Sequence, residues 1–416
     1  MQAGFFVNTV RVVYKSREGC DVTDPGRWIR DWRPESGNLG DWSRKTHQSR
    51  DEAMTHQSGD FDLASYHLEI PRSQIAQYPS DARGDSRLMV LHRKSGRITH
   101  SSFRRIADFL PRGTCLVGNN SKVFPARLEG EKIRTGGRVE LLLTTPLPLV
   151  QGEGFSGDWL HAPAAAILRP IKRVRAGERI SIGPDLEFRV HQIGSYGQVE
   201  GSLIWRGSLE RIVERLGKMP LPPYIKRCDE ALDRERYQTV YAREEKKGSA
   251  ASPTAGLHFS SETFSDLWRK DITWTEISLH VGYATFSPLR ERDIRNHRMH
   301  AEYVELSEES AEAINRARSQ GRPVAALGTT STRALETAAT EEGTVQPWQG
   351  WSDLYIYPGY RFKCVDHMIT NFHLPDSTLI LMVSAFAGRE ELLRAYKNAI
   401  HNGYRFFSYG DAMLIL

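Results

Sequence analysis

Two short stretches of the chain carry residue types that do chemistry. The first is Pro253-Thr254-Ala255-Gly256-Leu257-His258-Phe259, and the second is Leu279-His280-Val281-Gly282-Tyr283-Ala284-Thr285-Phe286. Each sets a histidine beside glycine and small or hydroxylic residues. Small residues let a backbone approach a ligand closely and aim its N–H groups at it. Imidazole is the side chain that exchanges protons near neutral pH. His258 and His280 are therefore the candidate catalytic residues. Thr254, Ala255, Gly256, Gly282, Thr285 and Phe286 are the candidate walls around a bound molecule. A hydrogen-bonded core residue is the alternative for either histidine. The recurrence of the pattern in neighbouring stretches favours a site, because perturbed groups cluster in sites.

A third stretch reads as a buried strand, Val324 to Leu327, running through Gly328 into Thr329-Thr330-Ser331-Thr332-Arg333 and a helix. Free N–H groups and the helix dipole converge at such a point and favour an anion. Helix capping also explains the hydroxyls, though neither their number nor Arg333. Arg83 and Arg87, in a polar stretch before a strand, can clamp a phosphate or simply be solvated. Asn119 and Lys122 lie in a polar loop after the strand at Cys115, a common place for ligand contacts. His297-x-x-His300 is compatible with a metal pair, but no H-E-x-x-H signature accompanies it.

These residues need elements to position them. The chain has 416 residues, 39% hydrophobic and 26% charged, which is a soluble globular composition too long for one ordinary core. No apolar run reaches membrane-spanning length. The N-terminal stretch has no apolar segment before a small-residue cleavage site, which argues against secretion. Four scattered cysteines suit a reducing cytoplasm rather than a disulfide or cysteine–zinc framework. A net charge of +5 permits a polyanionic partner without demanding one.

Residues 1–59 lack helical or strand periodicity and read as a poorly ordered N-terminal extension. Between 126 and 216 short strands and frequent turns predict an inserted β-barrel domain. Residues 60–125 and 217–416 alternate strand and helix. Helices are expected from Ser260, Ser307, Thr329 and Pro375 and over Glu390–His401; strands are expected at Leu88–Leu91, Ile272–His280, Val324–Gly328, Asp353–Gly359, Met368–Leu374 and Arg405–Leu416. That pattern predicts an α/β catalytic domain with a mainly parallel, barrel-like sheet and ligands at the strands' carboxyl ends.

The stretches IAQYPSDARGDSRLMVL, VFPARLEG, TGGRVELLL, MPLPPYI, PTAGLHF, LHVG, GTTSTRALE, ITNFHLPDSTL and GYRFFSYGDAML, in this order, resemble the S-adenosylmethionine:tRNA ribosyltransferase-isomerase family of queuosine biosynthesis. The likeness runs from 61 to 416. It implies an enzyme that transfers and rearranges the ribosyl part of S-adenosylmethionine onto 7-aminomethyl-7-deazaguanine at the wobble position of a tRNA, giving epoxyqueuosine as adenine and methionine leave. It also implies an α/β domain with a small β-barrel inserted. The sequence departs from the family pattern at Asn120 and Lys122, where Asp and Arg are usual, at Ala284, a usual glycine, and at Ser252, a usual alanine.

That chemistry sets further expectations. The sulfonium acidifies the neighbouring C5′ protons and adenine needs a proton donor or strong hydrogen bonds on leaving, which are roles for His258 and His280. Aromatic faces such as Tyr283, Phe286 or Phe372 suit the sulfonium. The methionyl carboxylate suits Thr329, Thr330 and Ser331 with Arg333 nearby. Arg83, Arg87, Asn119, Lys122, Arg127, Asn371 and His373 are the expected substrate and tRNA contacts. S-adenosylmethionine is the expected co-substrate, without a metal. The expected partner is a tRNA anticodon stem-loop with a GUN anticodon; the protein is expected to be a cytoplasmic monomer with no membrane attachment. A metal-dependent hydrolase, a non-catalytic RNA-binding relative, and the same chemistry on another nucleobase acceptor are the competing readings.

Overall fold

The computed structural model of the protein describes residues 59–282 and 289–416. The expectations for residues 1–58 and for Tyr283, Ala284, Thr285 and Phe286 lie outside the described residues.

One sheet organises the α/β part. Its strands run in the spatial order Trp348–Ser352, Glu302–Leu306, Thr273–His280, Cys115–Asn119, Val324–Leu327, His367–Asn371, Ala412–Ile415, Arg87–His92 and Arg97–Ser102. The central strands Cys115–Asn119 and Val324–Leu327 are buried along their whole length. Such unbroken apolar runs suit strands covered on both faces. Helices Gly328–Ala338, Glu308–Ser319 and Thr378–Ala387 supply part of that cover. Ser307 and Ser377 start two of them by accepting from Ser310 N at 3.2 Å and Ile380 N at 3.3 Å.

The sheet is mixed rather than mainly parallel. Parallel pairing joins Thr273–His280, Cys115–Asn119, Val324–Leu327 and His367–Asn371, and again Ala412–Ile415 with Arg87–His92. The other neighbours are antiparallel. No pairing among the described residues joins the two edge strands, so this sheet is not a barrel. Two expected strands also change. The run Asp353–Gly359 is irregular, the strand lying before it at Trp348–Ser352. At the C-terminus only Ala412–Ile415 is strand. The preceding turn is held by the Asp411 carboxylate, which accepts from Arg87 N and Arg405 N, both at 2.8 Å.

The second sheet does close. Strands Arg127–Lys132, Arg138–Leu143, Trp159–Arg169, Gln198–Arg206, Leu186–Ile193 and Arg179–Gly183 pair in a ring, every neighbour antiparallel. Leu128, Leu141, Phe188, Val190 and Leu203 fill its interior, a hydrophobic cluster separate from those of the larger sheet. Closure removes the exposed strand edges that an open sheet of this size would present.

Candidate active site

The carboxyl ends of Val324–Leu327 and His367–Asn371 meet the 3-10 turn Thr254–His258 around a narrow cavity of about 40 Å³. Its walls include Ser252, Thr254, Ala255, Val281, Gly328, Thr329, Thr330, Asn371 and His373. Local sequence builds this convergence. Gly328 takes φ +89° where strand becomes helix, a conformation that side chains rarely adopt. Gly256 packs so tightly that a Cβ there would lie 2.0 Å from the Tyr241 hydroxyl oxygen. Gly256 thus shapes the turn without lining the cavity.

The helix Gly328–Ala338 has no side-chain cap at its start. Ser331 and Thr332 instead turn back on Leu327 O at 2.8 Å and Gly328 O at 3.1 Å. The first N–H groups of a helix have no intrahelical partner, and here they open on the cavity beside Thr329 and Thr330. The buried hydroxyls of Thr330 and Ser252 find no hydrogen-bond partner among the described residues. Uncapped N–H groups, the dipole and two uncommitted hydroxyls make an anion-binding end. Of the residues expected there, Thr329 and Thr330 line it. Ser331 does not, because its hydroxyl is spent on Leu327 O. Arg333 does not either: it forms a buried ion pair with Glu302, whose other oxygen accepts from Gly282 N at 2.8 Å. Burial brings the Arg333 guanidinium down to about 10. Arg333 and Gly282 are thereby parts of one internal brace rather than ligand contacts.

His258 sits behind the cavity wall. Its ring lies over Phe103, with centroids 5.0 Å apart. Nδ1 is 2.8 Å from Ser86 Oγ and Nε2 is 3.2 Å from Asn371 Nδ2. The Asn371 carboxamide is oriented by Thr254, whose hydroxyl donates to Oδ1 at 2.8 Å. Nδ2 is then the donor toward His258, so Nε2 accepts and Nδ1–H donates to Ser86. Burial, with Arg405 and Arg83 adding to it, holds His258 down at about 3. The imidazole is neutral and both its nitrogens are engaged.

His373 lines the cavity itself, with Nε2 2.6 Å from Thr370 Oγ1 and its own N–H donating to Tyr396 Oη at 2.7 Å. Burial holds it at about 3. His280 ends its strand, buried, with Nδ1 unpartnered among the described residues, and is held at about 4 chiefly by burial. No hydrogen bond among the described residues joins His258 to His280. The three imidazoles contribute to the pH response of the fold, alongside His92, His191, His297, His300 and His367, which burial also lowers. Their folded values lie below the ordinary value of 6.5, so the unfolded chain binds more protons as pH falls. Their contribution is complete above the unfolded value and is lost below it, by about 1.4 kcal/mol per pH unit for each histidine. The melting temperature is expected to fall steeply between about pH 6.5 and 5, before most carboxylates titrate, and His373→Gln is expected to shallow that fall. A flat melting profile across this interval would contradict these assignments.

The expected RNA contacts Arg83, Arg87, Lys122 and Arg127 all have partners within the fold, but Arg83 and Arg87 form no ion pair among the described residues and keep their charge uncompensated. Arg83 donates to Leu257 O and Glu235 O, both at 3.0 Å, and so pins the turn that carries His258. Arg87 donates to Asn402 O at 2.6 Å and stacks on Tyr404. Lys122 pairs with Glu244, and Arg127 donates to Leu221 O at 2.7 Å. The Asn119 carboxamide bonds Leu279 through N at 3.0 Å and O at 2.9 Å, stitching two strands together. Its neighbour Asn120 donates to Glu276 at 3.0 Å and accepts from Ser278 Oγ at 2.6 Å. An aspartate at 120 would set two carboxylates face to face, so Asn120 and Glu276 are matched. Asn371 and His373 do line the cavity. Ser86, Thr370 and Glu302 escaped sequence reasoning; Ser86 meets His258 across 172 positions, with no local signal. Among the described residues no group of three or more His, Cys, Asp or Glu is placed to hold a metal ion. No helix there is long and apolar enough to cross a membrane.

Residues 63–415 match the family model described as queuosine biosynthesis protein. A protein of Nitratidesulfovibrio vulgaris named S-adenosylmethionine:tRNA ribosyltransferase-isomerase is 53% identical over 363 residues, 86% of this chain and 98% of that protein. One of the same name from Caldanaerobacter subterraneus is 47% identical over 354 residues, 85% of this chain and 99% of the relative. The crystal structure of S-adenosylmethionine tRNA ribosyltransferase from Thermotoga maritima is 32% identical, with a TM-score of 0.46 covering 86% of this chain and 100% of that one.

Proposed function

This chain belongs to the S-adenosylmethionine:tRNA ribosyltransferase-isomerase family of queuosine biosynthesis, and on that premise we propose how its cavity serves the reaction. The enzyme uses S-adenosylmethionine as the source of a ribosyl group and a tRNA as its acceptor. The acceptor base is 7-aminomethyl-7-deazaguanine at the wobble position of a GUN anticodon, the product is epoxyqueuosine, and adenine and methionine depart. The protein acts in the cytoplasm as a monomer. Residues 60–125 and 217–416 form the catalytic domain, 126–216 an inserted barrel domain, and 1–59 an extension.

The observation that carries this reading is the polar lining of the cavity. The uncapped helix start, with the Thr330 and Ser252 hydroxyls, supplies donors for the methionyl carboxylate. Thr254 spends its hydroxyl proton on Asn371 and presents lone pairs, which favour the positive ammonium and sulfonium groups. His373 is the imidazole that meets this space. In the tautomer where Thr370 donates to Nε2, its Nδ1–H is a neutral hydrogen-bond donor for the departing adenine, a role that a strongly depressed histidine can fill at neutral pH. His280, the other expected catalytic histidine, does not line this cavity, and no step is assigned to it. His258 does not reach the substrate; it holds Asn371.

The test is incubation with S-adenosylmethionine and a tRNA bearing the precursor base, followed by mass analysis of its nucleosides and of released adenine. Adenine release with the matching mass gain is expected. tRNA binding without adenine release would replace this reading with a non-catalytic RNA-binding role, and adenine release with a mass gain on another base would change the acceptor.

A further inference from the structure

A second cleft lies at the opposite end of the sheet, where the strand His367–Asn371 begins. It has a volume of about 660 Å³ and is lined by Arg93, Lys94, Arg318, Arg322, Asp366 and His367, among others. Its arginines are anchored as Arg83 and Arg87 are. Arg93 donates to Phe386 O at 3.2 Å and Asp366 O at 3.1 Å. Arg318 donates to Cys364 O at 3.0 Å and Lys363 O at 3.2 Å, and Arg322 donates to Gly113 O at 3.2 Å. These anchors are backbone carbonyls. None of the four cations forms an ion pair with a carboxylate among the described residues, whereas Arg104, Arg179, Arg206 and Arg227 each do.

A guanidinium tied to a carbonyl is fixed in place yet keeps its full charge and its remaining N–H groups. Asp366 is the one carboxylate side chain in the lining, and it already accepts from Val324 N at 2.8 Å. His367 Nδ1 and Arg322 Nε are also unpartnered among the described residues, but both atoms are buried. The cleft is thus pre-organised and net positive, with guanidinium N–H groups only partly spent on carbonyls. That is the chemistry of a phosphate site.

We propose that this cleft binds backbone phosphates of the tRNA, remote from the base undergoing modification. The proposal rests on the assignment of tRNA as the acceptor. The strand His367–Asn371 runs from the cleft to the cavity, a span of about 15 Å at the usual rise per residue, which sets the least separation that one RNA must bridge to engage both. The cleft provides position without sequence information, as phosphate contacts do.

The test compares the full-length protein with the double variant Lys94→Gln/Arg322→Gln and the charge-keeping variant Lys94→Arg/Arg322→Lys. tRNA affinity is measured from low to moderate salt, and melting temperature is recorded for each protein. Removal of two phosphate contacts is expected to reduce the slope of log K against log salt by about 1.5, and the charge-keeping variant is expected to restore it. Inorganic tripolyphosphate is expected to compete with tRNA for the native protein and to compete less for the Gln variant. An unchanged slope in a Gln variant that melts like the native protein overturns the cleft. Loss of tripolyphosphate binding with an unchanged tRNA slope makes it a site for free polyphosphate, and also overturns the proposal. A native protein that fails to bind tRNA at any salt overturns the acceptor assignment itself.

Discussion

His258→Gln is expected to release adenine within about tenfold of the native rate, while His258→Ala loses roughly two orders of magnitude, the usual consequence of misplacing a group by about 1 Å. The difference follows from what the imidazole does. Nε2 accepts from Asn371 and Nδ1–H donates to Ser86. A glutamine carboxamide can still accept from Asn371, which keeps the Thr254 hydroxyl pointed away from the cavity and its lone pairs toward it. Among the described residues, alanine leaves Asn371 Nδ2 with Phe407 O alone, at 3.4 Å. A proton-transferring histidine behaves differently, because neither glutamine nor alanine can carry its proton. Both variants would then lose roughly two to four orders of magnitude, and the pH profile of turnover would lose a limb. Equal, large losses in the two variants, with melting temperatures unchanged, would return His258 to a direct chemical role.

Arg333→Met is expected to destabilise the protein by about 3–5 kcal/mol, because it strands the Glu302 carboxylate in the interior. In a unit of this size that is a drop of roughly four to seven degrees in melting temperature. Adding Glu302→Gln to the same chain should recover part of it. The amide oxygen still accepts from Gly282 N, which holds the turn after His280, and it needs no counter-charge. Had Arg333 been a ligand for the methionyl carboxylate, the single variant would keep its melting temperature and raise KM for S-adenosylmethionine. That outcome, or a double variant less stable than the single, would remove the brace from this account.

The two predictions concern residues for which the sequence and the packing suggest different jobs, and the reason is physical. Local spacing reports which residues share a turn or a strand end. It placed His258 in a tight turn, Gly328 at a strand-to-helix junction and Thr329–Thr330 at a helix start, because glycine geometry and helix-end chemistry are properties of a few consecutive residues. The barrel, whose strands lie between Arg127 and Arg206, was legible for the same reason: alternating strands and turns are local. The motif order from 61 to 416 was enough to indicate the family.

What a side chain faces is not local. His258 is neutral and positioning because Ser86 and Asn371 close on it from 172 and 113 positions away. Arg333 is a brace because Glu302, on another strand, reaches it first. Asn120 is tolerable because Glu276 stands opposite. Cations at Arg93, Arg318 and Arg322 keep their charge because carbonyls, not carboxylates, hold them. The sheet is mixed because Ala412–Ile415 enters antiparallel to His367–Asn371, while the unbroken apolar strands beside it are parallel. By itself, then, the sequence determined the reaction family, the elements and the glycines and hydroxyls that frame a cavity. Packing alone decided which polar groups in that frame are spent on one another and which are left for a ligand, since desolvation and hydrogen-bond pairing depend on neighbours that chain order does not name.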